Sequence, residues 1–461
     1  MNPLIGLPME TKVRDLDGRL YLAAHLVAAG FRCCLGNRRS VQQYLLKEGG
    51  PFAYLDKGGA ANSTLLTLFE RMQERGGDLI RMDEEGGIYV ENSTALVQRN
   101  PPSAVSLSLM TLLWGEWQKT ELLREKASDD PEKFNVVGNP RFDLCAKRFA
   151  SYFEAQQKDS RFKNEPYVLI NTNFQRAHHY LGAEKLKALR NQAQGKSYNS
   201  LHEDMLCHYH GLLSGFFIEA IHALSKAIAP RSIVIRPHPT ENLDFYRHTF
   251  KQVENIFVLR EGPVQMWLIN AASVIHHGCT TAVEAFVHGL PVAMYAPIYH
   301  PELSKPLPRA ISETLDNHKD LINWVKSTLD GSYQLSSEQR SARQKLLEPV
   351  IAKLDGSSTS SIVELISNHY AGCAPEVKTF PSTPKEELLR NYRNGLGRLR
   401  KSKFGGALFR GQSIARYKFE CLHEKELSEK VELLRAIEPE LPPMQFNEVG
   451  CDAFLMEAVE L

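Results

Sequence analysis

The 461-residue sequence predicts an α/β protein: two doubly wound parallel-sheet domains followed by a helical C-terminal tail. Three observations lead there. Short apolar runs alternate with segments of helical periodicity twice over, from Leu4 to Val137 and again from Tyr167 to Pro297, and that order builds a parallel sheet covered by helices. A charged stretch poor in apolar residues, Asp159 to Glu165, separates the two series. Beyond Ala371 the chain becomes Pro-rich and then strongly charged. The expected domains are therefore residues 1–160, 161–370 and a tail of 371–461.

Composition limits the function. Hydrophobic residues make up 43% and charged residues 24%, as in ordinary globular proteins, and a formal net charge of +1 argues against wholesale nucleic-acid binding. The eight cysteines show no CxxC pairing and no His-rich neighbourhood, so they read as reduced thiols and neither a disulfide frame nor a zinc site is expected. No run of about eighteen apolar residues occurs, and Met1 to Leu7 lacks a charged n-region, so a cytoplasmic location is expected.

In the first series, Leu4–Pro8 is an apolar run, followed by a polar loop with Lys12 and Arg14 and a helix from about Leu16 to Ala29. Strands are expected at Arg32–Gly36, Phe52–Leu55 and Asp78–Met82, with helices at Ser40–Lys47 and near Asn62–Arg75. The last of these strands runs into Asp83-Glu84-Glu85-Gly86-Gly87. Val105–Trp114 is ambiguous between strand and helix, and Phe134–Val137 is a strand leading into Gly138-Asn139-Pro140-Arg141-Phe142-Asp143.

The second series starts with a strand at Tyr167–Asn171, then Thr172-Asn173-Phe174 and a polar insertion, Gln175–His202, expected to act as a lid. A helix of about Glu203–Ala229 leads to the strand Ser232–Ile235, which delivers Arg236-Pro237-His238-Pro239. A strand at Ile256–Leu259 ends at Glu261-Gly262. Ala271 to Pro297 then reads as strand, tight turn at Gly278, helix over Thr280–His288 closed by Gly289, and strand. Helices at Asn317–Thr328 and Ser360–His369 follow. In the tail, Arg390 to Lys418 is basic and Glu420 to Glu440 acidic.

Ligands of doubly wound sheets sit beyond the carboxyl ends of the strands, and the polar clusters above fall there. Adjacent carboxylates at Glu84-Glu85 repel, which raises the pKa of one and suits it to base catalysis; a solvated acidic turn is the plainer alternative. Pro237 and Pro239 hold His238 in a restrained loop, where an imidazole can stabilise a phosphate or donate a proton, and Arg236 precedes it. Thr280 and Thr281 at the start of a helix, beside Gly278, make a ready phosphate site, or simply cap the helix. Of His276 and His277, one is expected inside the sheet layers and the other, His277, at the ligand. Glu284 and Glu261 are candidates for ribose or base contacts, Asn171 and Asn173 for donor phosphate or sugar, and Lys12, Arg14, Asp83 and Asn139 for the acceptor substrate. No metal site is expected.

Together these pieces resemble bacterial glycosyltransferases of the GT-B type, with two Rossmann-like domains facing a cleft. Glu84-Glu85-Gly86 and His238-Pro239 resemble two motifs of bacterial sialyltransferases and polysialyltransferases that use CMP-activated sugars; Thr280-Thr281 matches their phosphate-holding Ser/Thr pair. The strings ETKVRDLDGRL, DEEGG, GNPRFD and LINTNF are similar to bacterial surface carbohydrate biosynthesis proteins, a likeness covering Leu4 to Pro297. Asp83 departs from the motif by making a triplet, which leaves the base open among Asp83, Glu84 and Glu85. The resemblance implies transfer of a nonulosonic, sialic-acid-like or Kdo-like sugar from a CMP donor, a co-substrate used without metal or other cofactor, to a hydroxyl of a lipid-linked or oligosaccharide acceptor. In it, one acidic residue removes the acceptor proton while His238, Thr280 and Thr281 stabilise the departing phosphate, with inversion or retention both open. The alternatives are a GT-B transferase using a UDP-sugar or CDP-glycerol and a non-catalytic scaffold of glycan assembly. The basic part of the tail is a candidate for peripheral docking on the inner membrane face.

Overall fold

A computed structural model describes residues 2–59, 63–88, 93–194, 199–371, 418–419 and 421–459. In chain order the strands are β1 (Leu4–Met9), β2 (Arg32–Asn37), β3 (Phe52–Asp56), β4 (Gly77–Met82), β5 (Met110–Leu113), β6 (Phe134–Val136), β7 (Tyr167–Asn171), β8 (Ile233–Arg236), β9 (Ile256–Val258), β10 (Ala271–His276), β11 (Val292–Tyr295), β12 (Glu313–Leu315), β13 (Met444–Gly450) and β14 (Ala453–Ala458). They form two sheets, ordered β13-β14-β2-β1-β3-β4-β5-β6 and β12-β11-β10-β7-β8-β9. The expected alternation of strand and helix holds through both.

The chain groups into two compact units. One is drawn from residues 1–87, 93–144 and 349–461; the other comes chiefly from 145–348. The breaks thus fall at Leu144/Cys145 and Glu348/Pro349, whereas composition placed them at 160 and 370. An apolar side chain inside the charged stretch explains the first shift. Phe162 packs its ring 5.4 Å from Tyr167 and Trp267 and 5.3 Å from Phe257, so Asp159–Glu165 decorates the second unit and does not link two units. For the second shift, the helix Ser358–Tyr370 is capped by a residue of the first unit: buried Asp143 accepts from Ser358 N–H (3.1 Å), Thr359 N–H (2.7 Å) and Thr359 Oγ1 (2.7 Å).

In the first unit β1 to β6 are parallel, and β1 is buried at every position, as a strand covered on both faces must be. Helix Arg38–Glu48 lies so close over β1 that a Cβ at Gly6 would stand 2.4 Å from Leu45 Cδ1. The tail is not all helical. After helix Glu424–Ile437, β13 and β14 form a hairpin, and β14 pairs antiparallel with β2. The hairpin buries Phe446, Phe454, Leu455 and Met456 against this sheet. The Pro-rich segment from 372 and the basic residues Arg390–Arg416 lie outside the described residues.

All six strands of the second unit are parallel. Helix Ser200–Ile228 is long and apolar enough, by length and composition, to cross a membrane; its Leu213, Phe217, Ile221 and Leu224 pack in the core of this unit. The expected lid is tied down in its first part, where Tyr180 N–H donates to the Thr240 carbonyl (3.0 Å) and Asn242 N–H to that of His178 (2.8 Å). Helix Ala183–Gln194 follows. Gly289, at φ +90°, closes helix Thr281–His288 in the left-handed conformation that favours glycine.

Candidate functional site

In the first unit the acidic turn leaves the C-terminal end of β4. Asp83 is buried and held bidentately by Arg99, Nε to Oδ2 at 2.7 Å and Nη2 to Oδ1 at 2.5 Å, and its carbonyl accepts from Trp114 Nε1 (2.7 Å). Glu84 is buried too, with its Oε1 2.6 Å from Nη2 of buried Arg19. No Arg19 nitrogen meets hydrogen-bond geometry. The short separation decides the matter, because opposite charges this close in a buried site attract whatever the angle. Glu85 alone of the three is exposed, 56% at its side chain, and stands 3.1 Å from Arg14 Nη1 and 3.2 Å from Arg99 Nη1. A guanidinium therefore faces every carboxylate of this turn. Gly86 is required by close approach, since a Cβ there would lie 2.8 Å from Trp114 Nε1 and Gln118 Nε2.

Two expected acceptor residues are engaged elsewhere. Lys12 Nζ donates to the Cys421 carbonyl (2.7 Å) and to Glu426 (2.6 Å), anchoring the C-terminal segment. Asn139 is 2% exposed and its Oδ1 caps the short helix Pro140–Asp143 through Arg141 N–H (3.0 Å). Arg14 does belong to the acidic turn: burial opposes its charge, but Asp15, at 2.6 Å, and Glu85 push its pKa up on balance. Lys57 is a participant that sequence reading missed. It follows β3, pairs with Glu10, and is pushed down to about 8, chiefly by burial, against the opposing pull of Glu85. The available signal was its place at a strand end before Gly58-Gly59.

In the second unit β10, β7 and β8 are neighbours, so the loops leaving their C-terminal ends lie side by side. Asn171 Nδ2 donates to Thr281 Oγ1 (2.9 Å) and Asn173 Nδ2 approaches the Gly278 carbonyl (3.4 Å). Among the described residues the Thr280 side chain makes no capping hydrogen bond, and Thr280 and Thr281 are partly exposed at the helix start. His238 is half-buried. Its Nδ1 lies 2.9 Å from Thr240 Oγ1 and accepts from Thr240 N–H (3.3 Å). A backbone N–H can only donate, so this arrangement leaves the neutral ring's proton on Nε2.

The two adjacent histidines differ from expectation, for both are buried. His276 donates from Nε2 to Ser312 Oγ (2.8 Å) and accepts Gly278 N–H at Nδ1 (3.1 Å); burial lowers its pKa to about 3. His277 stacks on Phe174, ring centroids 5.7 Å apart, and burial lowers it to about 4. Neither is a cation at neutral pH, because an uncompensated charge cannot be desolvated there. Arg236 is likewise turned inward: its Nη1 and Nη2 donate to the carbonyls of Glu261 (2.9 Å) and Gly262 (3.0 Å), its guanidinium lies 5.6 Å over the Trp267 ring, and burial brings it to about 10. It positions the 261–262 loop, where the Glu261 side chain is exposed. Glu284 is buried on its helix and accepts from Gln265 Nε2 (3.1 Å). The second missed residue is Glu241, fully buried just beyond the His-Pro loop.

These two α/β units, each with its polar loops at the carboxyl ends of parallel strands, define the GT-B class of fold. The wall teichoic acid polymerase TagF has this fold: its structure matches at a TM-score of 0.52 and 11% identity, over 80% of this chain and 88% of that one. A UDP-GlcNAc 2-epimerase from Methanocaldococcus jannaschii, in complex with UDP-GlcNAc and UDP, matches at a TM-score of 0.48 and 14% identity, over 79% and 99%. No protein-family model matches the chain. No curated protein matches it in sequence.

Proposed function

We propose that the protein is a glycosyltransferase that moves a sugar from a nucleotide-activated donor, held by the second unit, to a hydroxyl of a surface glycan. The observation that supports it most is the adjacency of the loops after β10, β7 and β8, which carry Thr280–Thr281, Asn171 and His238, with Asn171 bonded directly to Thr281. Hydroxyls, a helix N-terminus and a neutral imidazole N–H are donors suited to a phosphate, and each preorganised donor aimed at developing charge contributes about 3 kcal/mol to turnover. Neutral donors of this kind can serve a monophosphate leaving group without a metal ion, which favours a CMP-activated nonulosonic or Kdo-like sugar. Glu85 is the acceptor base in this reading, because Glu84 and Asp83 are buried in ion pairs and Glu85 is exposed. Glu261, exposed in the loop after β9, makes the ribose or base contact in this reading.

A second reading, a CDP-glycerol or UDP-sugar donor, draws support from the likeness to TagF, whose structure was determined after soaking with CDPG. Thermal shifts with CMP, CDP and UDP separate the two, since the preferred nucleotide raises the apparent stability most. No shift with any of them would refute both readings and favour a scaffold. Product anomeric configuration by NMR distinguishes inversion from retention. Vesicle binding that fades with salt would assign the tail a membrane contact.

A further inference from the structure

We propose that Glu241 is a positioning residue: its buried carboxylate locks the loop after β7 to the loop after β8 and so fixes His238 relative to the Asn171–Thr281 pair. The proposal rests on the reading that His238 meets the donor phosphate.

Pro237 and Pro239 stiffen the loop that leaves β8, and Glu241 N–H donates back to the His238 carbonyl (2.8 Å), folding it into a turn. The Glu241 carboxylate then gathers donors from two other segments. Thr172 Oγ1 and Phe174 N–H reach it from the loop after β7, and Tyr246 OH (2.9 Å) from helix Leu243–Thr249. Thr172 and Phe174 flank Asn173, and Thr172 follows Asn171, so one acceptor group sets the spacing between both asparagines and the imidazole. Further ties follow the same seam. Gln175 Oε1 lies 3.3 Å from Thr240 Oγ1, and His179 forms an antiparallel bridge with Glu241.

Of the titratable groups on the packed segments, Tyr246 touches the carboxylate itself, whereas His178, His179 and His238 meet this stretch through their backbones, and Arg260 reaches the Pro239 carbonyl with its Nη1 (3.3 Å). Burial pushes Glu241 up to about 7, with Thr172, Tyr246 and the Phe174 and His238 backbone pulling the other way. Ionised, the carboxylate accepts from Thr172, Phe174 and Tyr246 together. Protonated, one oxygen becomes a donor and opposes one of them. The lock is therefore tight above neutral pH and loosens below it.

The test uses the full chain with isotope-labelled histidine, the His238 imidazole signals being assigned by their loss in His238→Gln. Followed without nucleotide from about pH 5.5 to 8.5, they are expected to show a step near pH 7 in addition to their own titration, because the neighbouring carboxylate titrates there. Glu241→Gln is expected to abolish the step, and Tyr246→Phe to move it upward, since it removes a donor to the ionised form. Weakening of CMP binding by about tenfold or more in Glu241→Gln above neutral pH would accompany them. His238 signals in Glu241→Gln that superimpose on the wild type would overturn the proposal. If Glu241→Gln does not fold, Tyr246→Phe decides by itself: a step that moves up supports the lock, and one that stays overturns it. Failure of CMP, CDP and UDP to bind at all would remove the phosphate reading of His238, while the imidazole signals would still decide on Glu241.

Discussion

Glu84 and Glu85 are neighbours in sequence but should respond to substitution in opposite ways. Glu84→Gln leaves Arg19, 2% exposed, without its charge partner. Breaking a buried pair from one side costs about 3–5 kcal/mol. Glu85 is more than half exposed and its pairs with Arg14 and Arg99 are screened by water, so Glu85→Gln should cost about 1 kcal/mol at most. Urea unfolding followed by tryptophan fluorescence measures both. Turnover should divide the other way, with Glu85→Gln losing about 10²- to 10⁴-fold in a folded protein, the range for a positioned base. Replacing Glu84 and Arg19 together by leucine should recover much of the stability lost in Glu84→Gln, because no lone charge is left inside. Glu84→Gln within about 1 kcal/mol of wild type, or Glu85→Gln fully active, would refute this division of roles.

Glu241 makes stability depend on pH in a defined direction. Its folded pKa lies above its ordinary value of 4.5, so the stability of the neutral form is complete below about 4.5 and is lost as pH rises to about 7, a change of about 3 kcal/mol; Glu241→Gln should flatten this component in unfolding measured at both ends. Thr281→Val removes the partner of Asn171 Nδ2 and should weaken nucleotide binding by roughly tenfold in calorimetry, with little change in the melt. Lys12→Met should release the segment around Cys421 and Glu426, seen as faster proteolysis there, and leave nucleotide affinity unchanged. Ending the chain before Met444 should leave the β2 edge unpaired and cause aggregation, read by light scattering.

The strand and helix order was legible because buried parallel strands are continuous apolar runs and the helices between them carry their own spacing. Val274–Ile275 and Gly289 are cases where residue type alone dictated the outcome. The hairpin was hidden because β13, MQFNEVG, has little apolar content; the turn signal of Gly450 and Asp452 beside the run Ala453–Met456 was the usable clue. Direction of pointing was not legible at all. Lys12, Arg236 and Asn139 are residue types that bind substrates, yet Lys12 anchors the tail, Arg236 braces a loop and Asn139 caps a helix. Nothing local distinguishes such uses, since the partners lie far away in sequence. The two buried histidines show the same limit. Period-two alternation turns His276, the last residue of β10, and His277, just beyond it, to opposite faces, but both faces are covered there.

The pairing of β14 with β2 has a consequence for synthesis. The contact between Asn37 and Cys451 at its end spans 414 residues, so at ribosomal speeds the N-terminal sheet waits roughly 20 to 80 seconds for its outermost strands. During that interval Arg32–Asn37 is a raw margin of backbone donors and acceptors able to recruit another nascent chain, while residues 145–348 emerge contiguously and can collapse first. The β13–β14 hairpin acts as a selvedge for β2, and a ribosome that stalls before reaching it leaves one sheet finished and the other adhesive.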